Sequence, residues 1–279
     1  MKSNLESPIG IFDSGVGGLT VVEQIRRALP FEDLIYLGDT ARVPYGTKSP
    51  STIVRFASED TQLLLRQNIK AVVVACNTAS AWALPQLKKR FSVPIFGVIA
   101  PGAQAAVAVT RNHRIGVIGT TATIRSQAYA REILARDRRA KVFVRACPLL
   151  VPLVEEGWID HEVTRHVLAE YLSPFREYRI DTLVLGCTHY PLLKKAIQQL
   201  LKEGVALVDS AEACAADVRE QLLRLNLIRG NRRKPGQIQP FVTDDVERFE
   251  SMADRFLSSP TQRARKVDLA LQNRSATSG

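Results

Sequence analysis

Two cysteines stand at matching places in this chain of 279 residues: Cys76 in "VVVACNTAS" (72–80) and Cys187 in "TLVLGCTHYP" (182–191). Each closes an apolar run and is followed at once by small polar residues, Asn77 and Thr78 in one case, Thr188 and His189 in the other. A thiol titrates near about 8.5, and its thiolate acts as a base, a nucleophile or a metal ligand when the surroundings favour ionisation. Two thiols that approach one cleft from opposite sides could act on both faces of one small molecule. A zinc site built from Cys76, Cys187 and His189 is the rival chemistry, but no further histidine or carboxylate clusters with them and no CxxC pair is present.

The residues around them say what positions these groups. Short β-branched runs, "IGIFDS" (9–14), "LIYLGD" (34–39), "AVVVAC" (71–76) and "PIFGVI" (94–99), alternate with longer stretches of helical spacing. One such stretch, 49–68, opens with Ser49 as a helix cap and Pro50 at the first helical position. Continuous apolar strands separated by helices predict a parallel sheet covered on both faces. Near residue 100 the pattern restarts: "IGVIGTTATI" (115–124) echoes "IGIFDSGVGGL" (9–19), and "TLVLGC" echoes "AVVVAC". The fold class is therefore α/β, with two similar domains related by a pseudo-two-fold and a site in the cleft between them. The first domain is expected over 1–98, the second over 99–210, ending after the strand "ALVDS" (206–210). Residues 211–279 are too few for a third core and are expected to return to the first domain, with "RSATSG" (274–279) disordered.

In open parallel sheets the ligand lies beyond the carboxyl ends of the strands. That rule gathers Asp13 and Ser14, Asp39, Cys76, Thr120 and Thr121, and Cys187 with Thr188 and His189. The glycine-rich "DSGVGG" (13–18) matches neither common nucleotide fingerprint and reads equally as a tight turn or a phosphate cradle. Cys147 and Cys214 read as core packing, and His113, His161 and His166 as surface residues.

Composition sets the wider limits. With 46% apolar residues and no run long enough to span a bilayer, the chain reads as a soluble globular protein placed in the cytoplasm, where its four thiols stay free. The net charge of +10 gathers in 136–145 and 229–236. These stretches lack aromatic interleaving and any nucleic-acid-binding pattern, so they read as solvated basic faces. No membrane partner and no nucleic-acid partner is expected, while a homodimer is allowed for.

Six segments in this order, "IFDSGVGGLTV", "VPYG", "ACNTAS", "GVIGT", "ACPLLVPLVEEG" and "LGCTHYP", resemble the glutamate racemases of the aspartate/glutamate racemase superfamily. The resemblance spans residues 8–257; from 258 the tail is more basic than the family pattern requires. It implies a cofactor-independent isomerase that interconverts L- and D-glutamate and supplies D-glutamate for bacterial peptidoglycan. It makes Cys76 and Cys187 the catalytic pair, with Cys187 the base towards L-glutamate and Cys76 towards D-glutamate. Asp13 and His189 become their polar partners and Glu155 a third helper. It also implies substrate contacts from Asp13, Ser14, Tyr45, Gly46, Asn77, Thr78, Thr188 and His189, and no metal.

The chemistry fits this residue set. Inverting an α-carbon means taking its proton from one face and returning one to the other, so one flanking group must be ionised and the other protonated. Asp13 ends the first strand near Cys76, and His189 lies two residues beyond Cys187. Backbone N–H groups at the Asn77-Thr78 and Thr188-His189 turns suit an α-carboxylate and the charge that develops on it. The strand-end motifs contain no lysine of the kind a pyridoxal phosphate enzyme needs. A racemase for another amino acid, a one-cysteine relative and a non-catalytic small-anion or nucleic-acid binder are the competing readings; the paired thiols argue against the last two, and only the resemblance, through "DSGVGG" and "CTHYP", favours glutamate over aspartate.

Overall fold

The computed structural model describes residues 5–201, 204–230, 233–259 and 261–269. The stretch 274–279, expected to be disordered, lies outside the described residues.

Among the described residues ten strands form two parallel sheets. In chain order they are β1 (Ile9–Asp13), β2 (Leu34–Gly38), β3 (Ala71–Val74), β4 (Ile95–Gly97), β5 (Arg114–Gly119), β6 (Lys141–Ala146), β7 (Thr182–Gly186), β8 (Ala206–Asp209), β9 (Ile238–Val242) and β10 (Arg265–Lys266). The first sheet has the order β10-β9-β2-β1-β3-β4 and the second β6-β5-β7-β8. Around them pack α1 (Leu19–Ala28), α2 (Pro50–Leu65), α3 (Asn77–Trp82), α4 (Leu84–Arg90), α5 (Ile99–Val109), α6 (Thr121–Arg125), α7 (Ala128–Arg136), α8 (Leu150–Glu155), α9 (Glu162–Glu177), α10 (Lys194–Leu201), α11 (Ser210–Arg224) and α12 (Val246–Ala253).

Local chemistry explains the central elements. Every residue of β1, β3 and β7 is buried, because helices cover both faces, and the sequence there is accordingly apolar without alternation. The α2 helix starts where its cap predicts: Ser49 Oγ accepts from Thr52 N at 3.3 Å, with Pro50 first in the helix. The run 94–99 is shorter as a strand than its apolar character suggests, since Val98 already caps α5.

The first basic stretch is solvated as expected, with Arg136, Arg138, Arg139 and Lys141 exposed, whereas in the second Arg229 departs from that expectation. Residues 141–146 form β6, an edge strand on which charged side chains discourage pairing with another chain, and Arg145 stacks on the Tyr171 ring. In the second stretch Arg229 is buried: its N–H bonds Glu32 Oε1 at 2.8 Å and its guanidinium pairs with Asp33, so this arginine pins the returning chain to the first sheet. His113 also pairs, with Asp137 at 2.6 Å, whereas His161 and His166 are exposed.

The chain after β8 crosses back. Helix α11 leaves the second sheet and packs along α1 and α5, after which β9 pairs with β2 in register from Leu34–Ile238 to Gly38–Val242. One apolar cluster runs through the junction, joining Leu19 and Ile25 of α1, Val218 and Leu222 of α11, and Leu183 and Cys187 beside β7. The strand ends of the two sheets are thereby held face to face.

Candidate active site

The first cysteine is placed by a helix start. Cys76 precedes α3, its Sγ accepts from Ala79 N at 3.5 Å and its carbonyl accepts from Ser80 N at 2.8 Å. The N–H groups of Asn77 and Thr78, at the first turn, have no partner within the helix itself. The second cysteine follows β7 directly, and a short 3-10 turn (Tyr190–Leu193) begins after His189.

Both thiols reach one cavity of about 30 Å³, room for about one water molecule. The first domain contributes Ser14, Tyr45, Gly46, Cys76, Asn77 and Thr78, and the second contributes Thr120, Cys187, Thr188 and His189. Tyr45 and Gly46 come from a 3-10 turn (Tyr45–Thr47) between β2 and α2. Val43 and Pro44 of "VPYG" and Val151 of "ACPLLVPLVEEG" complete an apolar wall.

The polar residues beyond Cys76 are tied across the cleft. Asn77 accepts from the Tyr129 hydroxyl at 2.7 Å, and the Thr78 hydroxyl bonds those of Thr120 at 2.8 Å and Thr123 at 3.0 Å. Ser14 Oγ lies 3.9 Å from Cys76 Sγ.

Asp13 sits behind the cavity wall rather than on it. Its Oδ2 accepts from the N–H groups of Gly18 at 3.0 Å and Gly15 at 3.3 Å, while its buried Oδ1 has no hydrogen-bond partner among the described residues. Burial raises its carboxyl above the ordinary aspartate value, against the opposing pull of His189 and the backbone donors. The Cys76 thiol is pushed far up by burial and by Asp13. It stands protonated at neutral pH.

His189 has the opposite character. Burial works against its charge, yet bonds to Cys187 and Glu155 prevail and push it up to about 10. Its Nδ1 lies 3.9 Å from Cys187 Sγ, and its Nε2 lies 3.0 Å from Glu155 Oε1 at the end of α8. A Cys187 thiolate would therefore have an imidazolium as its counter-ion. One cysteine is thus set as an acid and the other beside a cation.

The C-terminal segment supplies further neighbours that strand-end reasoning missed. Phe256 meets the His189 ring edge-on with centroids 5.6 Å apart, and Arg255 Nη1 donates to the Glu155 carbonyl at 2.6 Å. Cys147 and Cys214 are fully buried core residues whose thiols burial raises, the first to about 12. Among the described residues, no three His, Cys, Asp or Glu side chains are grouped to hold a metal ion, and no helix is long and apolar enough to cross a membrane.

Comparison with known proteins agrees with this geometry. The profile of the family described as Asp/Glu/Hydantoin racemase matches residues 9–218. A glutamate racemase of Geobacter metallireducens is 55% identical over 249 residues, covering 89% of this chain and 92% of that protein. The crystal structure of a glutamate racemase isoform from Bacillus anthracis superposes with a TM-score of 0.92 at 40% identity, covering 95% of this chain and 99% of that one. The glutamate racemase of Francisella tularensis, solved in complex with D-glutamate, superposes with a TM-score of 0.89 at 37% identity, covering 96% and 100%. With its paired thiols on opposed strand ends and these likenesses over nearly its whole length, the chain belongs to the glutamate racemases of the aspartate/glutamate racemase superfamily.

Proposed function

We propose that this protein interconverts L- and D-glutamate without a cofactor, by proton transfer between two cysteines on opposite sides of the α-carbon, and so supplies D-glutamate for peptidoglycan. The observation that carries this reading is the unequal setting of two thiols in one cavity: Cys76 buried beside Asp13, and Cys187 beside a charged His189.

Towards L-glutamate, a Cys187 thiolate takes the α-proton and the Cys76 thiol delivers its own proton to the opposite face. The product leaves with Cys187 protonated and Cys76 ionised. On this reading Asp13, whose buried carboxyl is held above its ordinary range, returns a proton to Cys76, while the charged His189 takes the Cys187 proton at Nδ1 only as it gives its Nε2 proton to Glu155. From D-glutamate the roles exchange. The N–H groups of Asn77 and Thr78 are suited to the substrate carboxylate, and their aim at a developing negative charge stabilises the carbanionic transition state. Ser14, Tyr45, Gly46, Thr188 and His189 complete the contacts this reading assigns to the substrate.

The cavity at the thiols is narrow and lies between the strand ends of the two sheets; on this reading the two domains part to admit substrate and close again. The division used for them is 1–98 with 211–279, and 99–210, which the membership of the two sheets supports. Four free buried cysteines suit a cytoplasmic location. A homodimer fits the exposed apolar groove around Leu149, Pro152, Leu153, Trp158 and Val163, and the burial of Arg229 removes part of the basic surface a nucleic acid would need.

The direct test is polarimetric: dialysed protein with L-glutamate alone should lose optical rotation until both enantiomers are equal. Unchanged rotation, with turnover appearing only for another amino acid, would assign the site to a different racemase.

A further inference from the structure

The turn that carries Tyr45 and Gly46 into the cleft rests on a buried cluster of charge that the cysteine chemistry does not use. The Tyr45 ring is buried and packs on Phe56 of α2, with centroids 5.5 Å apart. Its hydroxyl meets two carboxyl groups at once, Asp60 Oδ2 at 2.8 Å and Asp39 Oδ2 more closely still. Both aspartates are 0% exposed. A phenol has a single proton to donate. One of the two contacts is therefore met by Tyr45 and the other requires a proton on a carboxyl oxygen, because an ionised carboxylate only accepts.

The neighbouring charges say where that proton resides. Arg42 Nε stands 2.6 Å from Asp39 Oδ2, its Nη2 stands 2.8 Å from Asp60 Oδ1, and its Nη1 pairs with Glu59. One guanidinium faces three carboxyl groups. Asp39 has additional support from the Thr243 hydroxyl, which donates to its Oδ1 at 2.9 Å. Among the described residues Asp60 has none beyond Arg42 and Tyr45, and burial together with the Asp39 charge drives its carboxyl well above the usual range.

We infer that Asp60 carries the shared proton in the folded enzyme, and that Asp60, Asp39 and Arg42 together position Tyr45, and with it the Tyr45-Gly46 backbone, against the substrate. The inference rests on the racemase reading for what the turn binds. Asp60 does not reach the cavity, so it is a positioning residue. The turn has little slack on its other side: a Cβ on Gly46 would come 2.7 Å from the Thr120 Cβ. A small rotation of Tyr45 is thus transmitted to the wall shared with the second domain.

Two readouts on the full chain separate the proton from the positioning. The infrared difference between wild type and Asp60→Asn at neutral pH should contain the carbonyl stretch of a protonated carboxylic acid, moving to lower frequency in heavy water. A difference spectrum without that band overturns the proton assignment. In steady-state racemisation, Asp60→Ala should raise KM for both enantiomers about tenfold, with kcat within about threefold of wild type. Asp60→Asn, a neutral planar group of the same shape, should recover most of that KM. An unchanged KM in Asp60→Ala, or a fall in kcat alone, overturns the positioning role. If Asp60→Ala does not fold, Tyr45→Phe removes only the hydroxyl and puts the same KM expectation to the test. Wild-type protein inert towards glutamate would sink the racemase reading and leave the infrared result to decide the proton.

Discussion

Gly17 lies so close to the His189 imidazole that a Cβ on it would stand 2.4 Å from the ring Cε1 and Nδ1, and 2.5 Å from Thr188 Oγ1. The glycine precedes α1 in the first domain, and the histidine follows β7 in the second. The Thr20 hydroxyl adds a bond across the same junction, donating to the Thr188 carbonyl at 3.0 Å. The glycine-rich turn therefore serves as a close-approach surface: it lets one domain press against the histidine that partners Cys187.

Gly17→Ala should push His189 off its line to Cys187 and lower kcat/KM about 100-fold in both directions, the scale of a displacement near 1 Å at a reacting group. Gly230→Ala, where a Cβ would meet nothing within 4 Å, should leave the rate unchanged. Steady-state circular dichroism on both variants, with thermal melts to show that each is folded, checks this; a fully active Gly17→Ala would refute the contact's importance.

Alanine at Cys76 or at Cys187 should lower racemisation by at least about 10³-fold, because each face then lacks its proton carrier. Alanine at Cys147 or Cys214 removes only a buried sulfur from the core and should leave kcat in place once stability is allowed for. Serine should give a directional defect, since an alcohol delivers a proton but is a poor base: Cys187→Ser should impair α-proton exchange from L-glutamate more, and Cys76→Ser that from D-glutamate. Equal losses across all four cysteines would defeat the assignment.

In heavy water, early D-glutamate formed from L-glutamate should carry deuterium at the α-carbon almost completely, while recovered L-glutamate carries little. The removed proton stays on Cys187 while Cys76, already exchanged, supplies the other face. Mass spectrometry of the separated enantiomers measures this, and early product rich in the original proton would point to a single base serving both faces.

On the proposed mechanism Glu155 acts through His189, so Glu155→Gln should reduce turnover about 10- to 100-fold, with the larger loss in the direction that uses Cys187 as base. The comparison of initial rates from L- and D-glutamate reads the bias, and a symmetrical effect would mean that Glu155 serves structure alone.

The His189 charge also links stability to pH. Its value in the folded protein, about 10, lies above the ordinary 6.5, so the native state binds the proton more tightly than the unfolded chain. The resulting stabilisation is present in full below about 6.5 and is lost as the pH rises through about 10. Urea melts should show the stability difference between wild type and His189→Asn shrinking over that window. A difference that grows with pH would contradict a charged His189.

Much of this was legible in the chain itself. Central strands of a parallel sheet are buried on both faces, so β1, β3 and β7 declare themselves as apolar runs, and their ends mark where Asp13, Cys76, Cys187 and His189 emerge. The repetition of that pattern announced two α/β domains and an opposed pair of thiols. Tertiary structure alone decided what surrounds them. Edge strand β6 is half-exposed and basic, and β9 enters the first sheet beside β2 from far along the sequence, so neither has the buried-run signature. Gly17 against His189, Phe256 edge-on to the same ring, Arg255 on Glu155, and the two aspartates on the Tyr45 hydroxyl join residues that no local period relates. Periodicity encodes which face of an element is buried; it carries no record of which distant element buries it, and the settings of the two thiols depend on that second choice.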